Sequence, residues 1–139
     1  MNPKALELQD RTQRFAAAVI AFCSELPATG PCHQIVVQLI DAANATDSNY
    51  RATCRARSPD EFIAKVGVAA EEADESKGWL ELLVRTRFTT FERAGALIKE
   101  ADELTAIFVS SRKTAEFNQQ KRQALKQQLA GQKRTTRRK

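Results

Sequence analysis

The hydrophobic residues of this chain recur at alternating spacings of four and three, which is typical of helices with one buried face. The first such segment follows Asn2-Pro3, a helix-start signal. It stops at residues 27–31, where two prolines and a glycine cannot continue a helix. Its inward seam is Leu8, Thr12, Phe15, Val19, Phe22 and Leu26. The pattern predicts a first amphipathic helix.

A second helix is predicted from about Pro31 to about Arg55, with a seam that becomes small and polar in its second half. That seam is Ile35, Leu39, Ala42, Thr46, Asn49 and Thr53. Residues 44–49 are weak helix formers, which allows a local kink. Ser58-Pro59-Asp60-Glu61 then combines a capping serine, a proline at the first helical position and a glutamate that completes a capping box.

The third helix is predicted to run from Ser58 to about Arg87, and a second capping-box candidate, Thr89 to Glu92, opens the fourth. The seam of the third helix is Phe62, Val66, Ala69, Ala73, Ser76, Leu80 and Leu83. An adjacent stripe carries Lys65, Val68, Glu72, Glu75, Trp79 and Leu82. In the fourth helix the residues predicted to face inward are Phe91, Ala94, Leu97, Ile98, Ala101, Leu104, Thr105 and Phe108.

Four helices with short connections predict an all-α fold, an antiparallel up-down-up-down four-helix bundle over residues 1–117. Residues 118–139 are predicted to form a basic polar helix extension, disordered beyond Gly131 because it has little apolar area to bury. No apolar run is long enough to span a bilayer, and the N-terminus lacks a secretory signal pattern. The expected location is the cytoplasm.

The net charge of +5 conceals a strong asymmetry along the chain. Residues 1–111 hold 12 Lys/Arg and 16 Asp/Glu, a net −4, whereas residues 112–139 hold 10 Lys/Arg and one Glu, a net +9. This predicts a polyanionic partner for the tail, RNA or DNA, although a solvated tail that only aids solubility is the alternative. The tail candidates are Lys121, Arg122, Lys126, Lys133, Arg134, Arg137, Arg138 and Lys139.

Three arginines near the predicted turn between the second and third helices are further nucleic-acid candidates. Arg51 and Arg55 are four residues apart and share a helix face, and Arg57 follows in the turn. Guanidinium groups bind phosphate bidentately. Arg55 and Arg57 could instead be solvated charges. For Arg51, a salt bridge to the acidic middle of the third helix, at Glu71, Glu72 or Glu75, is favoured over phosphate contact.

No enzymatic, metal or cofactor site is predicted. The three cysteines, Cys23, Cys32 and Cys54, form neither a CxxC pair nor a disulfide framework, and His33 is the single histidine. The acidic third helix lacks the Glu-x-x-His motif of bundle di-metal sites. A membrane-surface role for the tail is disfavoured because large apolar residues are not interleaved with its charges.

Two aromatic residues could either pack or stack on bases. Trp79 shares a stripe with Glu75 and Leu82, which favours packing in the core or at a subunit interface over base stacking. Tyr50 adjoins Arg51, which suits nucleic acid, but a buried phenol suits the same position, and packing is favoured. Glu72 and Glu75 are predicted to face a neighbouring helix or subunit, whereas Glu71 and Asp74 face solvent.

Several short segments between Gln38 and Leu83 resemble the 23S rRNA-intervening-sequence proteins, a bacterial four-helix bundle family. They include Ser48-Asn49-Tyr50-Arg51, Glu61-Phe62-Ile63-Ala64-Lys65, Glu71-Glu72-Ala73-Asp74-Glu75 and Trp79-Leu80-Glu81-Leu82-Leu83. One departure is Asp47, where family members often have proline. The signature positions expected to matter for structure or oligomerisation are Asn49, Tyr50, Phe62, Glu72, Glu75 and Trp79.

The resemblance implies a ring-like homo-oligomer, typically a pentamer. Some members are encoded within insertions in large-subunit ribosomal RNA genes. A related group, the accessory variability determinant proteins of diversity-generating retroelements, assists a reverse transcriptase and binds nucleic acid through basic surfaces. The resulting hypothesis is a non-enzymatic oligomeric bundle that binds RNA or DNA. The alternative is a protein-interaction scaffold or an accessory subunit of a nucleic-acid enzyme such as a reverse transcriptase.

Overall fold

The computed structural model describes residues 2–138 and places most of them in four α-helices. The helices are α1 (Pro3–Cys23), α2 (Gly30–Cys54), α3 (Pro59–Arg85) and α4 (Phe91–Arg138). Each helix packs on the next one along the chain, and α4 also packs on α1. The described residues contain no strand. The predicted all-α four-helix bundle is therefore confirmed.

The helix starts follow the capping signals, with one correction. Ser58 Oγ accepts the N–H of Glu61 at 3.1 Å, as predicted. The capping box predicted at Thr89 is wrong, because Thr90 Oγ1 accepts the N–H of Arg93 at 3.2 Å instead. The Thr89 hydroxyl is buried without a hydrogen-bond partner among the described residues.

The predicted seams form the core. Most of their members are buried, and Leu39, Leu80, Leu83, Leu104 and Phe108 are fully so. Phe91 is the exception, because its side chain is 68% exposed.

The exposure of Phe91 has a simple geometric cause. Phe91 is the first residue of α4 and lies beside the last turn of α3, where Val84 and Arg85 flank it without covering it. Its ring lies against Gly95 of the next turn, 3.3 Å from the point where a Cβ would stand.

The polar half of α2 runs as one uninterrupted helix through residues 44–49, so the kink that its composition allowed does not form. Its polar side chains form hydrogen bonds with the preceding turn: Thr46 Oγ1, Asn49 Nδ2 and Thr53 Oγ1 each donate to the carbonyl four residues back at 2.8 Å. Buried Thr12 of α1 donates its hydroxyl to Asp47 Oδ1 at 3.0 Å. Asp47 therefore ties α2 to α1.

Ion pairs join α4 to both of its neighbours. The guanidinium of Arg11 in α1 meets Glu100 at 2.5 Å and Glu103 at 2.7 Å, and the hydrogen bond to Glu100 raises the pKa of Arg11. Lys77 in α3 meets Asp102 at 3.0 Å. None of the helices within residues 2–138 combines the length and low polarity that crossing a membrane requires.

The link between α3 and α4 contains a residue in the left-handed backbone region. Arg87 has a φ of 67°, a conformation that costs most L-residues free energy. The N–H of Phe88 bonds back to the carbonyl of Leu83 at 3.1 Å, so this turn closes the end of α3 in the way a C-terminal glycine usually does.

We expect Arg87→Gly to raise the free energy of unfolding by about 0.5–1 kcal/mol, because glycine adopts a positive φ without the Cβ clash. Urea unfolding measures the change. Arg87→Ala removes the same charge but keeps the Cβ, so its stability should stay at or below that of the native chain. An equal gain in both variants would attribute the effect to charge and contradict the backbone explanation.

Candidate nucleic-acid interface

The end of the bundle that carries the α2–α3 turn brings two of the predicted candidate groups together. We call this region the turn end: the turn residues 55–58 and the part of α4 that passes them, residues 115–122. Gln119 of α4 donates its side-chain N–H to the carboxylate of Asp60 in the first turn of α3. Arg122 lines a shallow groove with Thr53 and Ser58. The first basic residues of the tail therefore lie beside the turn arginines.

Arg55 and Arg57 are both exposed at the turn end. Arg55 is the C-cap of α2, and its backbone N–H bonds to the carbonyl of Ala52 at 3.1 Å. Neither guanidinium forms an ion pair with any carboxylate among residues 2–138. Both are open to an external anion.

The salt bridge predicted between Arg51 and the acidic middle of α3 is wrong. Arg51 is half-buried and forms no ion pair within the described residues. Since α2 and α3 are antiparallel about a short turn, Arg51 lies level with Phe62. Glu71 stands about 14 Å further along the α3 axis at 1.5 Å per residue.

Beyond the bundle α4 continues as what we call the free segment, residues 120–138. Every side chain of the free segment is exposed. It holds seven Lys/Arg and no Asp or Glu. The last carboxylate before it, Glu116, is 3.7 Å from Arg112. The cations are Lys121, Arg122, Lys126, Lys133, Arg134, Arg137 and Arg138, and none pairs with a carboxylate of residues 2–138. Lys139 lies outside the described residues.

The structure differs from the sequence prediction beyond Gly131, where disorder was expected and α4 instead continues to Arg138. Gln, Lys and Arg, which make up most of residues 132–138, favour helix by intrinsic propensity. The hydroxyls of Thr135 and Thr136 bond to carbonyls four residues back at 3.0 Å. The predicted domain boundary between residues 117 and 118 falls inside this one helix.

Four cations of the free segment lie on the face of α4 that packs into the bundle further up the same helix. Eighteen residues make five full turns at 3.6 residues per turn. Arg122, Lys126, Lys133 and Arg137 each follow by eighteen residues a position that faces the other helices: Leu104, Phe108, Ala115 and Gln119. We call these four cations the cationic stripe. It continues the buried face of α4 past the end of the bundle.

The charge count taken from the sequence does not identify the helix face that four of the tail cations share. The eighteen-residue spacing is a signal that could have identified it. Its meaning depends on α4 remaining one helix from the core to residue 138.

The phenol of Tyr50 is packed rather than available to bases. Its ring stacks on Phe108 of α4 with centroids 5.2 Å apart and planes at 22°, and the residue is 8% exposed. Burial, together with the neighbouring Cys54 thiol, raises the pKa of Tyr50. Tyr50 is therefore a packed core residue, as the sequence favours.

Among the acidic residues of α3, Glu71 and Asp74 are exposed to solvent, as predicted. Trp79 is half-buried against the core, and its Nε1 donates to Glu75 Oε1 at 3.3 Å. Glu75 itself is exposed, whereas Glu72 is half-buried. Burial, followed by the charge of Glu75, raises the pKa of Glu72.

The described residues contain no group of three metal-ligating side chains. The three cysteines are free thiols. Burial raises the pKa of Cys23 to about 11 and also raises that of Cys32, which keeps both thiols protonated and unreactive near neutral pH.

These features define a four-helix bundle protein with an unpaired cationic surface at one end. The model of the 23S rRNA-intervening sequence protein family matches residues 4–110, and the chain belongs to this family. A solved structure from Bacteroides thetaiotaomicron, described as a protein of unknown function from the S23 ribosomal protein family, is 26% identical. The match covers 76% of this chain and 97% of that one, with a TM-score of 0.68. No curated protein matches the chain.

The family match ends at residue 110, ahead of the free segment. It therefore includes Arg51, Arg55 and Arg57 but none of the cationic stripe. The bundle is the shared part, and the cationic extension must be interpreted from its own chemistry.

We expect Glu72→Gln to be more stable than the native chain near pH 7 and equally stable near pH 3.5. Because the folded-state pKa of Glu72 is raised, its stabilising contribution is present below the unfolded-state pKa and is lost as pH rises through the folded-state value. Glutamine stays neutral and keeps that contribution. Thermal unfolding at the two pH values measures the difference.

Asp74→Asn removes a charge from an exposed position of α3 that does not contribute to the raised pKa of Glu72, and it is the matched control for Glu72→Gln. If both variants gain equally at pH 7, the effect comes from lowering the total acidity of α3 and not from the burial of Glu72.

Proposed function

We propose that this chain is a non-enzymatic, oligomeric four-helix bundle protein of the cytoplasm that binds the phosphate backbone of RNA or DNA. One observation carries the proposal: seven cations without a carboxylate extend from the bundle beside two exposed, unpaired turn arginines. Phosphate oxygens are the anions that guanidinium and ammonium groups bind without sequence preference.

The distribution of charge over the rest of the molecule supports binding at the turn end and the free segment. Residues 1–111 carry a net −4, and three of their cations, Arg11, Arg14 and Lys77, are engaged in ion pairs. A polyanion is therefore repelled by the body of the bundle and attracted to the turn end and the free segment.

We expect a chain ending at Gln119, with Arg55→Gln and Arg57→Gln, to lose most of its affinity for nucleic acid. Binding to a labelled RNA or DNA is measured across a salt series. Each lost phosphate contact should reduce the salt slope by about 0.9 for a duplex and about 0.7 for a single strand.

The opposite end of the bundle offers a matched control. Arg85 and Arg93 are exposed arginines there, and Arg85→Gln with Arg93→Gln removes two positive charges, as Arg55→Gln with Arg57→Gln does in the full chain. This pair should leave affinity and slope nearly unchanged. If the truncated turn variant binds as the native chain does, the proposed mechanism is wrong.

The oligomer we propose is a homopentamer, as the family resemblance implies. Support comes from large apolar side chains that the single bundle leaves exposed: Leu6, Ile20, Val37 and Val68. A ring of five chains would carry five free segments and raise avidity for a long polyanion without any new contact.

Native mass spectrometry tests the pentamer. We expect a particle of about 78 kDa, five times the 15.5-kDa chain. Val37→Lys with Ile20→Lys places charge on two of the exposed apolar positions and should shift the population to smaller species. A single 15.5-kDa species for the native chain at micromolar concentration would contradict the proposal.

The exposed ring of Phe91 favours a second function, that of an accessory subunit or interaction scaffold for a nucleic-acid enzyme such as a reverse transcriptase. Phe91 lines an apolar cleft with Val84 and Ile98, at the end of the bundle remote from the free segment. A complex held by this surface would survive salt concentrations that screen phosphate contacts, which separates the two functions.

A further inference from the structure

The orientation of the cationic stripe restricts what the turn end can bind. Arg122, at the start of the stripe, already faces the groove beside Thr53 and Ser58. Because the other three cations share its face, the cationic stripe lies on the side of α4 that faces the turn end. The free segment and the turn end therefore form an inner corner with cations on both sides, the stripe on one and Arg55 and Arg57 on the other.

The length of the stripe matches a short run of phosphates. From Arg122 to Arg137 it extends about 22 Å along the helix axis. One strand of a duplex carries a phosphate about every 3.4 Å of its axis but winds around that axis, so a straight stripe of this length follows only the few phosphates of one strand that its four cations can contact. The opposite face of the free segment carries Gln120, Ala124, Gln128 and Thr135, with a single cation, Arg138, at its end.

One-sided charge fits a helix that lies against a backbone. A helix inserted into a major groove meets phosphates on both flanks, whereas here four cations share one face and the other three cations of the free segment, Lys121, Arg134 and Arg138, are spread singly around the rest of the helix. Like charges also disfavour packing of two such stripes from two copies of the chain.

The corner offers no freely exposed aromatic ring on which to stack unpaired bases: Phe62, which lines the groove beside Arg122, is half-buried against the core. Tyr50 is covered by Phe108, and exposed Phe117 lies on the outer side of α4, about 170° from the centre of the stripe, with Lys121 Nζ 5.2 Å from its ring centroid. Stacking is worth about 1–3 kcal/mol per base in single-strand binders. Without it, a single strand gains little here beyond its phosphates.

From this geometry we infer that the corner takes a nucleic-acid duplex, with the backbone of one strand along the cationic stripe and Arg55 and Arg57 on the same duplex. The inference rests on the proposed function and adds to it a substrate class and a direction of approach.

A charge-conserving face swap tests the inference on the full chain. The four-glutamine variant carries Arg122→Gln, Lys126→Gln, Lys133→Gln and Arg137→Gln. The face-swap variant adds Gln120→Lys, Ala124→Lys, Gln128→Lys and Thr135→Lys, which restores the charge on the opposite face. Circular dichroism verifies equal helix content, and affinity for a 20-base-pair duplex and for one of its single strands is measured across a salt series.

We expect the native chain to prefer the duplex, and the four-glutamine variant to lose about 3–4 in salt slope, at 0.9 per phosphate. The face-swap variant should bind about tenfold more weakly than native and have a slope smaller by about 2, because its cations and the turn arginines no longer reach one duplex. Adding Arg55→Gln and Arg57→Gln should lower the duplex affinity of the native chain but should not lower that of the face-swap variant.

The remaining outcomes separate the inference from the proposed function. Native-like affinity of the face-swap variant, or equal binding of single strand and duplex, overturns the inference and leaves the proposed function standing. A change in oligomeric mass of the face-swap variant without nucleic acid assigns the stripe to a second copy of the chain and also overturns it. Native-like binding by the four-glutamine variant also overturns the inference, because the stripe then contributes nothing to binding. The proposed function fails only if the truncated turn variant, too, binds as the native chain does.

Discussion

The bundle depends on the burial of one seam of α3 between α2 and α4. Val66, Ala69, Ala73, Leu80 and Leu83 are fully excluded from solvent, and the small residues among them let the neighbouring helices approach closely. Short turns on both sides of α3 require α2 and α4 to run antiparallel to it. Helix α1 closes the bundle through Phe15 and Val19, with Arg11 and Thr12 supplying its polar links to α4 and α2.

The unequal lengths of the helices produce the candidate binding surface. Because α3 begins at Pro59, it has no residues to pack on α4 beyond Gln119, yet α4 continues to Arg138. At that point the face that had been apolar becomes cationic, and the charges appear only where the packing ends because lysine and arginine are seldom buried unpaired. The surface is thus the unpaired continuation of a packing face.

Local signals in the sequence predicted the fold closely, and the errors fall where local reasoning ends. The caps at Asn2 and Ser58 depend on side chains within three residues, so they could be read directly. Phe91 fits the helical pattern but lies where no partner helix covers it, which the pattern alone does not show. Arg51 and the acids of α3 were matched by charge, and only their levels along antiparallel helices show that they are too far apart.

The sequence by itself determined the four helices, their antiparallel order and the separation of an acidic bundle from a basic tail, because periodicity, caps and charge counts are local properties. The tertiary structure decided which charges can act together. It placed Arg122 beside the turn that carries Arg55 and Arg57, and it aligned four tail cations with the buried face of α4. Relative position of residues distant in sequence follows from helix packing, and packing is a property of the whole chain.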